Sequence, residues 1–212
     1  MPYKGGMITA GPGRPRSERA RRAILDAALA IAEAQGYGAV TIKGIAQAAN
    51  VGRQTVYRWW PNAAYVLLEA LFERGEREAA PVDEGDVATE LRRFLTDTFE
   101  LANVAGTVLL GLVADSAHDP ELSASVRSRL GERRRMLAEI LRRGQARGQL
   151  TSSSPVEVVV DMIFGAMWYR LIGGHGPVDA DLAAELSHVA IRLLDEGGRR
   201  TRKGPRVERR ER

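Results

Sequence analysis

The chain has 212 residues, 44% of them hydrophobic, and can therefore bury a core as one domain or as two small ones. It contains no cysteine, which excludes disulfides and thiolate chemistry. No apolar run approaches the length that spans a bilayer, and residues 1–10 are too short and too polar for a secretory signal. We therefore expect a cytoplasmic protein with no membrane partner.

The net charge of +4 is distributed unevenly along the chain. Residues 1–62 carry 9 Lys and Arg against 3 Asp and Glu, residues 63–196 carry 14 against 22, and residues 197–212 carry 8 against 2. Basic ends around an acidic middle fit a DNA-binding head on a body that does not bind DNA. Residues 197–212 have no apolar period and are predicted to be a disordered basic tail, a solubilising end in preference to a second DNA contact.

Residues 1–16 are rich in Gly and Pro and have no helical period, so a flexible basic arm is predicted. Within it, the segment 11–16 is narrow enough to lie in a DNA minor groove with Arg14 and Arg16 facing the floor. A solvated tail is the alternative, and both stay open. Ser17 is then expected to cap a first helix over residues 18–35, which Gly36 ends.

Residues 41–62 predict two short helices packed across one another. Thr41 can cap the first, which should stop at Asn50 because Asn tolerates the left-handed conformation that ends a helix. The second begins after Gly52, with Val56 and Trp60 pointing inward. A short helix that exposes polar side chains suits the DNA major groove, the alternative being a solvated helix in an ordinary bundle. The outward-pointing residues are Arg53, Gln54, Thr55, Tyr57 and Arg58.

The same stretch resembles the DNA-binding signature of the TetR family of bacterial transcriptional regulators, on the residues Thr41-x-x-x-Ile45-Ala46-x-x-Ala49-Asn50-Val51-Gly52-x-x-Thr55-x-Tyr57-x-Trp59-Trp60-Pro61. The match extends from about Arg21 to about Leu68. The resemblance implies a three-helix, helix-turn-helix DNA-binding domain, placed here at residues 17–62. It also implies a larger helical effector-binding and dimerisation domain, placed at residues 63–196, and a homodimer that reads a palindromic operator in double-stranded DNA.

Two positions depart from the family pattern. Asn50 stands where the family usually has Gly, which should be harmless for the backbone reason given above. Ala63 stands where the family usually places a Lys that touches phosphate, so one anchor of the usual backbone clamp is missing.

The DNA contacts are predicted from the chemistry of the exposed side chains. Base edges are assigned to three residues, with Gln expected to pair with adenine and Arg with guanine: Arg53, Gln54 and Thr55. Phosphate contacts, which fix register without reading sequence, are assigned to four more: Thr41, Lys43, Tyr57 and Trp59. Arg14 and Arg16 would add minor-groove contacts.

Beyond residue 62, apolar positions recur at helical spacing, and helices are predicted over residues 63–78, 86–104, 107–117, 120–148, 156–172 and 179–196. Gly106 is expected to separate the second and third. No strand is predicted, so the fold class is all-α. The run Arg133 to Arg135 is interpreted as a solvated face paired with acids such as Glu132 and Glu139, in preference to a second nucleic-acid site.

A small-molecule pocket is the preferred hypothesis for the body. Large, soft or aromatic side chains from four helices could converge there, although each is more often plain core, and the resemblance implies that a cavity lies among them. The few polar groups nearby, Arg170, Tyr169 and His118, point to a mainly apolar effector. The candidate lining residues are Phe94, Phe99, Leu109, Leu112, Met136, Ile140, Phe164 and Trp168.

The last two helices have broad apolar faces, which suggests a four-helix interface between two copies, as the resemblance also implies. The alternative is that both faces are used by the monomer's own core. The candidate interface residues are Met162, Ala166, Leu182, Leu186, Val189, Ala190 and Leu193.

A catalytic or metal site is not predicted. His118, His175 and His188 fall in a turn, a loop and a helix without ligand spacing, and there is no phosphate-binding loop after a strand. We therefore expect no cofactor and no enzymatic activity. The sequence favours a ligand-responsive transcriptional regulator, most simply a repressor, and the alternative is a constitutive dimeric DNA-organising protein without effector.

Overall fold

The computed structural model describes residues 14–78, 81–151 and 155–201, with side chains described over 18–78, 81–103, 105–151 and 155–195. Every regular element in these ranges is a helix, which confirms the all-α prediction. The α-helices are α1 Arg14–Gln35, α2 Ile42–Ala48, α3 Arg53–Tyr57, α4 Ala63–Glu78, α5 Val87–Ser116, α6 Pro120–Ala146, α7 Val156–Gly173 and α8 Ala180–Thr201, with a 3-10 turn at Tyr37–Ala39 between α1 and α2.

Two helix limits differ from the prediction. α1 begins at Arg14 instead of residue 18, because Pro15 falls in the first turn of the helix, where proline is tolerated. α5 runs through Gly106, which was expected to break it. A glycine inside a helix costs only about 1 kcal/mol, and the buried apolar neighbours Ala105 and Val108 outweigh that cost.

Packing divides the chain into two compact units. One comprises Met1–Glu78 with Val104–Leu130, and the other comprises Ala79–Asn103 with Gly131–Arg212. Helices α5 and α6 therefore each begin in one unit and end in the other. The domain limits predicted from sequence, at residues 62 and 196, stay predictions.

In the first unit, the 3-10 turn after α1 and helix α4 are joined to the chain segment 104–130 by polar contacts. The Tyr37 hydroxyl donates to Asp115 Oδ2 at 2.6 Å, and burial together with this hydrogen bond raises the pKa of Tyr37. The Tyr65 hydroxyl lies 3.4 Å from both carboxylate oxygens of Asp119. The Tyr37 ring also lies flat against α5, where a Cβ on Gly111 would come within 2.4 Å of ring carbons Cγ and Cδ1.

The second unit has a hydrophobic core built from α5, α6, α7 and α8. Its most buried side chains are aliphatic and aromatic residues at helical spacing, including Leu91, Leu95, Phe99, Leu137 and Ile140. α7 is apolar on nearly all sides, and its inward residues Val159, Val160 and Ile163 complete this core.

A buried carboxylate ties the start of α5 to the end of α6. The Glu90 side chain is 0% exposed, and it accepts hydrogen bonds from Arg143 Nη2 and Arg147 Nη1, both at 2.7 Å. It also accepts from the backbone N–H groups of Glu84 and Gly85. Burial alone would raise the pKa of Glu90, but the two guanidinium groups outweigh it and lower the pKa to about 2.

No single helix in the described ranges is apolar enough over a sufficient length to cross a membrane. The two halves of α5, Val87–Asn103 and Ala105–Ser116, are bent against each other, and only together do they reach the necessary length and apolar composition.

Candidate nucleic-acid interface

The helix-turn-helix is built on a small apolar core. Ile24 and Leu25 of α1, Ile45 of α2, and Val56 and Trp60 around α3 are all buried. Because α2 and α3 each have fewer than eight residues, neither would be stable alone, and this shared core holds them. The prediction that Val56 and Trp60 point inward is confirmed.

Local signals in the sequence set the ends of both short helices. Thr41 Oγ1 accepts the backbone N–H of Gly44 at 3.1 Å, which caps α2 as predicted. Asn50 takes the left-handed conformation with φ 53°, and the Val51 N–H then donates to the Ala46 carbonyl at 2.9 Å. Asn50 therefore takes the left-handed conformation that the sequence predicted for the end of this helix.

α3 offers polar side chains to solvent. Arg53 and Gln54 are exposed, Thr55 is half-buried, and Tyr57 is 53% exposed although it is aromatic. An exposed tyrosine beside exposed Arg and Gln is unusual for a packed helix and suits contact with a partner. The predicted base-reading and phosphate-contacting residues of α3 thus share one accessible surface.

The remaining predicted phosphate contacts lie nearby in the chain. Lys43 is exposed in the first turn of α2, and the capping hydroxyl of Thr41 keeps its own proton for donation. Trp59 is half-buried, with its ring edge-on to Trp60 at a centroid distance of 5.4 Å.

Arg58 is a candidate contact that the predicted set left out. Its side chain is exposed, and its guanidinium carbon lies 5.1 Å from the centre of the Trp59 ring. Stacking on an aromatic ring leaves the N–H groups at the guanidinium edge able to donate to phosphate. The signal in the sequence was the Arg-Trp pair directly after the exposed Tyr57.

The minor-groove prediction concerns residues at the edge of the described structure. The backbone of Arg14 and Arg16 lies in the first turn of α1 and not in an extended segment. Their side chains, and residues 1–13 of the predicted arm, lie outside the described residues. The predicted basic tail likewise falls beyond them, except that α8 continues to Thr201.

The candidate pocket residues are divided between the two units. Leu109 and Leu112 are buried in the first unit. The other six belong to the hydrophobic cluster of the second unit or pack against it: Phe94, Phe99, Met136, Ile140, Phe164 and Trp168. These six form the set that the structure brings together.

The candidate interface residues also fall into two groups. Leu182 and Ala190 are buried in the chain's own core, and Ala166 and Leu186 are half-buried. Met162, Val189 and Leu193 are exposed. In the arginine run, Arg134 pairs with Glu157 and Asp161 of α7, acids that the prediction did not name, and Arg133 stacks on Phe94.

Two family models match the chain. The one described as "Bacterial regulatory proteins, tetR family" matches residues 24–70, and the one described as "Tetracyclin repressor-like, C-terminal domain" matches residues 81–190. Over 168 residues the chain is 34% identical to the uncharacterized HTH-type transcriptional regulator YdeS of Bacillus subtilis, covering 76% of this chain and 82% of YdeS. It is 30% identical to the HTH-type transcriptional regulator AqdR of Rhodococcus erythropolis, covering 86% of each chain.

The crystal structure of the TetR family transcription regulator SCO0332 superimposes with a TM-score of 0.71 at 27% identity, over 83% of this chain and 98% of that one. The fold and the exposed α3 surface define a helix-turn-helix transcriptional regulator. The chain belongs to the TetR family of bacterial transcriptional regulators. It is a regulator and not an enzyme, as the sequence predicted.

Proposed function

We propose that this regulator is a homodimeric, cytoplasmic repressor that binds a palindromic operator and is released from it by a small, mainly apolar ligand. The observation that carries the DNA-binding proposal is the accessible surface of α3, where Arg53, Gln54 and Tyr57 are exposed over the buried Val56 and Trp60. In this proposal Arg53, Gln54 and Thr55 read bases, and Thr41, Lys43, Tyr57 and Trp59 contact phosphate.

The DNA roles are tested by comparing the duplex upstream of the protein's own gene with an unrelated duplex of equal length. We expect the upstream duplex to bind about a thousandfold more tightly or better. Gln54→Ala should reduce the ratio of the two affinities by about tenfold, because it removes a base contact. Tyr57→Ala should weaken binding to both duplexes alike.

Gln35→Ala, which removes an exposed glutamine at the end of α1, is the matched control and should change neither affinity. If the two duplexes bind alike with a steep salt dependence, the constitutive DNA-organising alternative replaces the operator-specific repressor.

The dimer proposal rests on an exposed apolar surface along α7 and α8. Four α7 residues spaced four, seven and three apart share one helix face, and two α8 residues lie four apart. Exposed apolar side chains clustered in this way mark contact surfaces in soluble proteins. The members of this α7–α8 surface are Val158, Met162, Tyr169, Ile172, Val189 and Leu193.

Met162→Glu is expected to convert the dimer to a monomer at micromolar concentration, because it places a charge where two copies would exclude water. Light scattering after size-exclusion chromatography measures the change. Operator affinity should fall with it, since two half-sites about 34 Å apart are read together only by a dimer. Val82→Glu adds the same charge at an exposed valine outside the α7–α8 surface, and a monomeric wild type would contradict the proposal.

The effector proposal places the ligand among the six candidate residues of the second unit. Helix α5 runs from this unit into the first and α6 runs back, and in the first unit Tyr37 and Tyr65 bond to Asp115 and Asp119 near the turn between them. A ligand that displaces these helices would therefore move the 3-10 turn before α2 and helix α4, and so alter the spacing of the recognition helices.

A thermal-shift screen with a panel of apolar small molecules tests the coupling. A ligand that raises the melting temperature is expected to weaken operator binding, because it binds the released conformation more tightly. A ligand that stabilises the protein without changing operator affinity would contradict the coupling.

A further inference from the structure

Trp60 follows the recognition helix and is bonded to α4. Its side chain is 1% exposed, and its backbone N–H donates to the carbonyl of Val56 inside α3 at 3.0 Å. Its indole Nε1–H donates to Glu69 Oε2 of α4 at 2.8 Å. Because a buried indole N–H needs an acceptor, the carboxylate fixes the orientation of the ring and, through it, the end of α3.

Glu69 is in turn held by α1. Its Oε1 accepts from Arg21 Nε at 2.8 Å, and Arg21 Nη2 also reaches Glu73 Oε2 at 2.5 Å. Burial alone would lower the pKa of Arg21, but Glu73 and Glu69 outweigh it and raise the pKa. A single carboxylate on α4 thus joins the recognition helix to both helices that support it.

From these contacts, which extend the proposed DNA-binding function and rest on it, we propose that Glu69 is a positioning residue for operator recognition. It sets the angle at which Arg53 and Gln54 meet the base edges while touching no DNA itself. Specific binding depends on that angle, because bidentate base contacts are directional. Non-specific binding depends on charge and depends little on the angle.

A second ion pair between the same two helices provides the control. Arg74 Nη1 of α4 pairs with Glu33 Oε1 of α1 at 2.5 Å, and Arg74 also pairs with Glu78 of the same helix α4. Glu33→Gln and Glu69→Gln therefore make the same charge change and each weaken one α1–α4 ion pair, but only Glu69→Gln alters the bond to Trp60.

The experiment measures binding of the upstream duplex and the unrelated duplex at several salt concentrations. Both variants lose one negative charge, which should tighten binding to either duplex slightly. We expect Glu69→Gln to reduce the specificity ratio by about tenfold, the size associated with a hydrogen bond to a charged group, with the salt slope unchanged. Glu33→Gln should leave the ratio as it is in the wild type.

Two further measurements separate positioning from loss of structure. The chain has three tryptophans, so an amide NMR spectrum contains three indole N–H signals, of which Trp60→Phe identifies one. Glu69→Gln should move that signal and leave the others in place if the fold is intact. In a double-mutant cycle, Trp60→Phe with Glu69→Gln should cost no more specificity than Trp60→Phe alone.

An unchanged specificity ratio in Glu69→Gln, or equal effects of Glu69→Gln and Glu33→Gln, would overturn the positioning role. A wild type that does not prefer the upstream duplex would instead overturn the proposed function. Because the wild type is measured beside each variant, the two failures are distinguished.

Discussion

Glu90→Ala is expected to lower the free energy of unfolding by about 3 kcal/mol, within the range found when one partner of a buried ion pair is removed. The carboxylate accepts two guanidinium hydrogen bonds from arginines more than 50 positions away and two backbone hydrogen bonds from the preceding loop. Its loss leaves Arg143, whose buried Nε has no hydrogen-bond acceptor among the described residues, without its Glu90 partner. Denaturant unfolding at neutral pH measures the loss.

Glu157→Ala is the matched control for Glu90→Ala. Glu157 also accepts from two arginines, Arg134 and Arg142, but its side chain is 50% exposed. Solvent screens such a pair, so its removal should cost far less than the removal of Glu90. Equal losses in the two variants would show that burial does not decide the strength of these pairs.

The Glu90 carboxylate also makes the stability of the fold depend on pH. The pKa of Glu90 is lowered from its ordinary value of 4.5 to about 2 in the folded chain, because the two arginines outweigh the effect of burial. A group with a lowered folded pKa contributes stability above its unfolded pKa, and that stability is lost as the pH falls from about 4.5 towards 2. The stability difference between the wild type and Glu90→Ala should therefore shrink across this window.

Gly144→Ala is expected to destabilise the second unit by about 2 kcal/mol, the cost of forcing an extra methyl group into a close contact. A Cβ at Gly144 would lie 2.6 Å from Cγ2 and 2.8 Å from Cβ of Val87. Valine is stiff at χ1, so the side chain cannot rotate away at low cost. The backbones of α5 and α6 would have to separate. Thermal or denaturant unfolding measures the effect.

Gly131→Ala, on the same helix α6, separates this steric effect from helix propensity. A Cβ there would have only Arg135 Nη1 within 4 Å, at 3.7 Å. We expect a gain of up to about 1 kcal/mol, because alanine is the better helix former. A loss in both variants would assign the cost at Gly144 to something other than Val87.

The features predicted best from the sequence are those that depend on residues close together in the chain. The start of α4 at residue 63 was predicted correctly, and there Asn62 supplies a local cap, with its Oδ1 accepting from the N–H groups of Ala64 and Tyr65. The inward direction of Val56 and Trp60 followed from their spacing alone. Because these two residues face the core, the other side of α3 is exposed.

Contacts between residues far apart in the chain could not be predicted in this way. Arg21 and Glu69 are 48 positions apart, and Glu90 and Arg147 are 57 apart. Hydrophobic periodicity assigns a charged residue to a helix face but does not identify its partner. The separation of Leu109 and Leu112 from the other pocket candidates was missed for a related reason, since the period does not show that α5 passes from one packing unit into the other.

The way α5 and α6 cross between the units limits how this protein can be recombined. Segment 104–130 packs with the N-terminal helices, so a chimera joined after residue 62 would separate Tyr37 from its native partner Asp115, and one joined after residue 78 would also separate Tyr65 from Asp119. It would also place a foreign residue opposite the Tyr37 ring, where only glycine fits. A transplant of the DNA-reading head between relatives must therefore carry two separate stretches of sequence, residues 1–78 and 104–130.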